Sequence, residues 1–340
     1  MVAGDSLAAS AYCNTGLPTV RVARSGILIG RQCMPRTVAV EGAQVSIPNE
    51  FIEMRDVAIA AAREAGTAIR AVAEQGIKEI IFKGEGKRDL VTEADKRSEQ
   101  IIIDAITRSY PDHQILAEEG TSAGGGGAYR WIIDPLDGTT NFAHHYPLYC
   151  VSIAVERAGE PLIGVVFAPY MNELFVAIKG GGATLNSAPI AVSGVTDLIG
   201  GLLCTGFPYR LDGPTNNLVN WGNFVLRTQA TRRDGAAALD LCYVAAGRFD
   251  GFWELNLQPW DMAAGALMIQ EAGGTISDPY GNPFRIDGHD IVGSNGHLHE
   301  KMLDVLAMSK NGHGAGKPNA ETEQRAKPAG ADATRDETTA

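Results

Sequence analysis

No run of apolar residues in this 340-residue chain approaches the roughly 20 that a bilayer-crossing helix needs, so no transmembrane helix is expected. No CxxC pair occurs. The five cysteines (Cys13, Cys33, Cys150, Cys204, Cys242) are odd in number and irregular in spacing. That argues against a disulfide framework or a cysteine zinc site, and for a reducing, cytoplasmic setting. Forty glycines and sixteen prolines follow no triplet period, which excludes a collagen-like fibre. Basic residues are scarce: 29 Lys and Arg against 40 Asp and Glu leave a formal net charge of −11. A general nucleic-acid binder wants the opposite sign, so no nucleic-acid partner is expected, whereas a protein that collects cations suits this balance. Gly84-Glu85-Gly86-Lys87 lacks P-loop spacing and reads as a loop. His144-His145 has no third ligand at metal spacing and reads as packing or surface. No serine or cysteine stands out as a positioned nucleophile, and no internal repeat is visible.

What is present is enough apolar content, 45%, for one large core or two fused ones. Both ends differ from the middle. Residues 1–50 are poor in acids, carry Arg21, Arg24, Arg31 and Arg36, and show no sustained period; they read as a loose extension or an upstream mis-set start, without the amphipathic helix of a transit peptide. Residues 309–340 are rich in Gly, Ala, Thr, Pro and charge and are expected to be a disordered polar tail. The folded part is then 51–308. Apolar spacing predicts helices over Phe51–Ala73, from Thr92 with a capping-box pattern, and over Ala236–Ala245, Asp261–Ala272 and Leu298–Met308. Strands are predicted at Gln114–Ala117, Trp131–Ile133, Val151–Val155, Gly164–Phe167, Leu174–Ile178, Phe252–Trp253, Gly274–Ser277 and Asp290–Val292. Strands and helices are grouped rather than strictly alternating, so α+β layers fit better than a barrel.

The most informative stretch is Trp131 through Phe142, where a hydrophobic strand runs into Asp134-Pro135-Leu136-Asp137-Gly138-Thr139. Pro135 interrupts regular pairing and Gly138 permits a sharp turn. Two carboxylates at a strand end repel unless a cation lies between them, and oxygen-only ligands favour Mg²⁺ or Mn²⁺. Gly138 and Thr139 offer amides and a hydroxyl to a phosphate oxygen. An Asp-Pro-x-Asp-Gly surface turn is the competing reading. Glu118-Glu119 also ends an apolar run, and either stands at the site or forms a solvated turn. Asp261 falls where a helix begins, and Asp95 sits in the capping box; both suit a plain cap, a metal-site role, or both at once.

Taken together, Asp89 through Asp95, Glu118-Glu119, Trp131 through Phe142, and Trp260 through Gly265 closing with Glu271-Ala272-Gly273-Gly274 resemble the inositol monophosphatase family of magnesium-dependent, lithium-sensitive phosphatases, over residues 51–308. The resemblance implies a layered αβαβα sandwich, a homodimer, and two to three Mg²⁺ ions. It places one ion on Glu118, Asp134 and the Leu136 carbonyl, and a second on Asp134, Asp137 and Asp261. A third, weaker ion would use Glu118 through water. Glu118 and Thr139 would activate the attacking water, with Asp95 supporting Thr139. Gly138 and Thr139 would meet the phosphate; Asp137, Glu254 and the Gly235-Ala236-Ala237 backbone would meet the alcohol.

Two departures bear on specificity. Relatives often carry a hydroxyl where this chain has Ala236, and the short glycine-rich linker from Gly120 to Ala128 predicts a flexible loop and a weaker third metal site. Thr140-Asn141-Phe142 looks like the inositol-phosphatase version; a neutral Thr140 offers no cation for a second phosphate. The expected substrate is thus a small polyol monophosphate. Fructose 1,6-bisphosphate, a nucleotide 3′-phosphate, or a non-enzymatic regulatory role are the alternatives. Trp131, Trp253 and Trp260 are expected to pack the core near the site.

Overall fold

The computed structural model describes residues 47–83, 89–120, 122–123, 125–209 and 216–310. The proposed N-terminal extension lies outside the described residues up to 46, as do the polar tail from 311, Gly84–Lys87, Cys13 and Cys33.

The chain runs α1 (Asn49–Gln75), β1 (Ile80–Lys83), β2 (Asp89–Thr92), α2 (Glu93–Ser109), β3 (Gln114–Ala117), β4 (Ser122–Ala123), β5 (Arg130–Asp137), α3 (Thr139–Ala143), β6 (Cys150–Arg157), β7 (Glu160–Ala168), β8 (Glu173–Ile178), β9 (Gly182–Leu185) and β10 (Ala188–Pro189). It continues with β11 (Leu202–Thr205), α4 (Leu218–Val225), β12 (Ala230–Arg232), α5 (Ala237–Ala245), β13 (Gly251–Glu254), α6 (Pro259–Glu271), β14 (Thr275–Ser277), β15 (Ile291–Ser294) and α7 (His299–Lys310). β1 and β2 form a separate hairpin. β10-β9-β8-β7-β6-β5-β3-β4 form a large sheet, antiparallel except where β3 runs parallel to β5. A smaller sheet has the order β12-β11-β13-β15-β14.

Alternation along the strands sets the layers. In β5 and β6, Trp131, Ile133, Val151, Ile153 and Val155 join one core with the apolar stripe of α1 and with Ile102 and Ile106 of α2. Ile132, Cys150 and Ala154, pointing the other way, join a second core with α5 and α6. Buried on both faces, these strands read as continuous apolar runs. The small sheet lies on the far side of α5 and α6, and its outer face packs Leu203, Trp253 and Val292 against Phe224 of α4, Leu298, and Met302, Val305 and Leu306 of α7. The result is the expected α+β sandwich: α1 and α2, large sheet, α5 and α6, small sheet, α4 and α7.

Several boundaries differ from expectation. β5 continues to Asp137 through a register irregularity between Asp134 and Asp137, so Pro135 and Leu136 bulge rather than end the strand. α6 begins at Pro259, which makes Asp261 its third helical residue instead of its cap. The hairpin β1–β2, the strands β11 and β12, and α4 were not foreseen.

Candidate active site

The site is assembled where β3, β5, β13 and the first turns of α2, α3, α5 and α6 converge. α2 opens with the predicted capping box. Thr92 Oγ1 accepts from the Ala94 N–H at 3.1 Å, and Asp95 Oδ2 accepts from the Thr92 N–H and hydroxyl at 2.7 Å each. The other Asp95 oxygen accepts from Thr139 Oγ1 at 3.0 Å. One carboxylate thus caps a helix and holds the threonine, and the capping reading of Asp95 is met. Burial lifts Asp95 to about 6 against the hydrogen bonds from Thr92 and Thr139. Ser98, one turn on, donates to the Pro135 carbonyl at 2.6 Å, which pins the β5 bulge to α2.

At that bulge the Leu136 N–H donates to Asp134 Oδ1 at 3.0 Å, and the Leu136 carbonyl shares the Thr139 hydroxyl proton at 3.0 Å. Gly138 has φ +89°, and a Cβ there would strike the Leu148 carbonyl, so glycine alone makes this turn without strain. Asn141 then ties α3 to the Leu148 and Asp234 carbonyls, each at 2.7 Å, which fixes the approach of the Gly235 segment.

α5 brings no capping side chain of its own, because Ala236 stands at its cap. Asp137 serves instead from one hundred residues away. It accepts from the Ala237 N–H at 3.2 Å and the Ala238 N–H at 2.8 Å. Burial raises Asp137 to about 6 while those amides pull it down. The Ala237 N–H is thus directed to Asp137, and Gly235, Ala236 and Ala237 all line the cavity. Across α6, Asp261 Oδ2 accepts from the Gln258 N–H at 2.7 Å.

These acids crowd one another. Burial is the largest cause raising Asp134, followed by the charges of Glu118, Asp137 and Asp261. Burial and then Asp137 likewise raise Asp261, which is in hydrogen-bond contact with Asp134. Glu118 rises to about 7, through burial against the attraction of Lys83. Two carboxyls in contact persist only with a shared proton or a cation between them. Among the described residues, however, no three His, Cys, Asp or Glu groups are arranged to enclose an ion as they stand. Each acid has an oxygen turned to a backbone amide or, for Glu118, to Lys83. Carboxylate oxygens keep a second lone pair when so bonded, and the donor set is oxygen only, desolvated and mutually repelling, which fits a hard divalent ion.

A cavity of about 360 Å³ is walled by Glu118, Asp137, Gly138, Thr139, Asp261 and Glu254, with Asp95, Asp134 and Leu136 behind the wall. Glu254, at the end of β13, is buried, and that burial raises its pKa. It fits only because Gly206 has no side chain; a Cβ there would run into its carboxylate. Four ionisable lining residues were given no role at the site from the sequence. Lys83 reaches Glu119 at 2.6 Å and Glu118 at 3.2 Å, and although burial opposes its charge, those two acids hold its ammonium well above the usual lysine range. Asp89, Tyr209 and Arg233 are the others. Arg233 and Thr140 lie on the same lining. His144 and His145 are exposed, Trp131 and Trp253 are core, and Trp260 borders the cavity.

Residues 52–310 match the inositol monophosphatase family. The chain belongs to that family. It is 43% identical over 264 residues to an inositol-1-monophosphatase of Synechocystis, covering 77% of this chain and 91% of the relative. It is 47% identical over 260 residues to the Nus factor SuhB of Pseudomonas aeruginosa, covering 74% and 95%. The solved inositol monophosphatase of an Anabaena (Nostoc) species superposes with a TM-score of 0.70 at 40% identity, covering 76% of this chain and 97% of that one. Among the described residues no helix is long and apolar enough to cross a membrane.

Proposed function

We propose that this inositol monophosphatase family member is a cytoplasmic, homodimeric, Mg²⁺-dependent hydrolase that releases phosphate from inositol monophosphate or a similar small polyol monophosphate. The observation that carries the reading is the gathering of Glu118, Asp137, Asp261 and Thr139 on one cavity wall with Asp134 behind it. Magnesium, held by Glu118, Asp134, the Leu136 carbonyl, Asp137 and Asp261, with Mn²⁺ as a substitute, would supply the positive charge that offsets the dianionic ester and eases deprotonation of water. The protein supplies position. Thr139 has one hydroxyl proton, directed to Asp95 and the Leu136 carbonyl, so its lone pairs remain to accept from the attacking water, with Glu118 as the neighbouring base. Gly138 and Thr139 take the phosphate, and Glu254 with the Gly235-Ala236 backbone takes the alcohol hydroxyls. The name of the Pseudomonas relative favours a second reading, a regulatory role beside or instead of hydrolysis.

Phosphate release from inositol 1-phosphate, measured with Mg²⁺ and with chelator, tests the proposal. Release is expected only with Mg²⁺, and Asp134→Asn is expected to abolish it while circular dichroism stays native. No release from this or any sugar or nucleotide monoester leaves only the regulatory reading. Preference for a nucleotide or fructose bisphosphate would move the substrate assignment.

A further inference from the structure

We propose that the catalytic cavity opens into a second, apolar chamber that receives a ring-bearing or alkyl portion of the substrate's alcohol, so that the chain also hydrolyses aryl and comparably apolar phosphate monoesters. This rests on the phosphatase reading and adds a substrate class to it.

The second chamber measures about 660 Å³, larger than the catalytic cavity of about 360 Å³. The two share Thr140, Phe207, Pro208, Tyr209 and Arg233, so the spaces adjoin across these residues. Beyond that shared ridge the lining becomes Ile80, Phe82, Leu90, Ala143 and Leu218, with His144 at its side. A polyol would find few partners for its hydroxyls there, whereas apolar surface would leave water. Ile80 and Leu218 are 44% and 51% exposed, so the chamber presents apolar surface that no described part of the chain covers fully.

Tyr209 links the two spaces. It lines both and is more than half exposed. Arg233 stands at the same junction and complements an anionic ester entering between them. An ester whose phosphate lies against Thr139 therefore has the apolar lining next to it, across Phe207 and Tyr209. That adjacency to the ester site is the reason for taking the occupant to be part of the substrate rather than a separate protein.

The test compares 1-naphthyl phosphate with inositol 1-phosphate in the native protein and in Ile80→Glu and Leu218→Glu, both outside the catalytic machinery. Calorimetric binding of non-hydrolysable 1-naphthylphosphonate runs alongside. Each substitution is expected to lower kcat/KM for the naphthyl ester about tenfold and to weaken phosphonate binding by a similar factor, leaving the inositol ester within about twofold. Equal losses on both esters overturn the proposal, as does an unchanged naphthyl rate. If sedimentation shows that the substitutions split an oligomer while naphthyl turnover holds, the chamber belongs to a second copy and the proposal is overturned. Should no ester be hydrolysed, the phosphatase reading fails on its own; phosphonate binding lost in the variants then supports the chamber, and unchanged binding overturns it.

Discussion

Thr139 and Asp95 form a pair in which one hydrogen bond has two consequences. The Asp95 carboxylate has two oxygens and uses both, one for the start of α2 and one for Thr139. Asparagine offers a single acceptor oxygen, so Asp95→Asn gives up one of these partners and turns an NH₂ group toward a donor. The expected cost is about 1 kcal/mol of stability, with phosphate release falling by roughly 10²-fold. Thr139→Val keeps the shape and removes the hydroxyl. Its activity should fall at least as far with no loss of melting temperature, while Thr139→Ser should retain most turnover. A Thr139→Val protein with native turnover would remove this hydroxyl from the reaction. Gly206→Ala acts on the other wall: the new methyl group displaces the Glu254 carboxylate. KM for a polyol phosphate is expected to rise several-fold while kcat changes less, measured by initial rates.

At the scale of elements, the strand that carries Asp134 and Asp137 was readable because its apolar run and Pro135 are local signals. The capping box of α2 was readable for the same reason. What joins them was not. Asp137 caps α5 across one hundred residues, and nothing near Ala236 announces that its helix lacks a cap of its own except the absence of Ser, Thr, Asp or Asn. Lys83, Tyr209 and Arg233 lie in segments without a motif, and only the fold brings them to the cavity. The Ala237 amide illustrates the same point: a sequence shows that an N–H exists, but not that Asp137 accepts from it. The Asp137 cap gives a prediction that separates the acids. In chelator near pH 8, Asp134→Asn removes a carboxylate repelled by three others and should melt at or above the native chain. Asp137→Asn also removes a buried charge but gives up one of the two amides that the carboxylate accepts from, so it should melt below Asp134→Asn. Differential scanning calorimetry on both variants decides this; the reverse order would deny Asp137 its capping role.

For the whole molecule, the acid cluster is a site of stored repulsion within an otherwise ordinary sandwich. Its effect on stability has a definite sign. Asp95 and Asp137 titrate near 6 and Glu118 near 7 in the folded chain, against ordinary values of 3.8 and 4.5. The folded state therefore binds more protons than the unfolded state from about pH 4 upward. The stability this contributes is complete below those ordinary values and is lost as pH rises through 6 and then 7, at up to about 1.4 kcal/mol per pH unit for each titrating group. A divalent cation that binds only the folded cluster replaces those protons and adds stability by mass action. The melting temperature in chelator should thus fall between pH 5 and 8, and the increment given by Mg²⁺ should be small at pH 5 and grow across the same window. If the increment is the same at every pH, the ion does not bind where these carboxylates lose their protons. The assignment of Glu118, Asp134, Asp137 and Asp261 as its ligands then fails, whatever the rate of phosphate release.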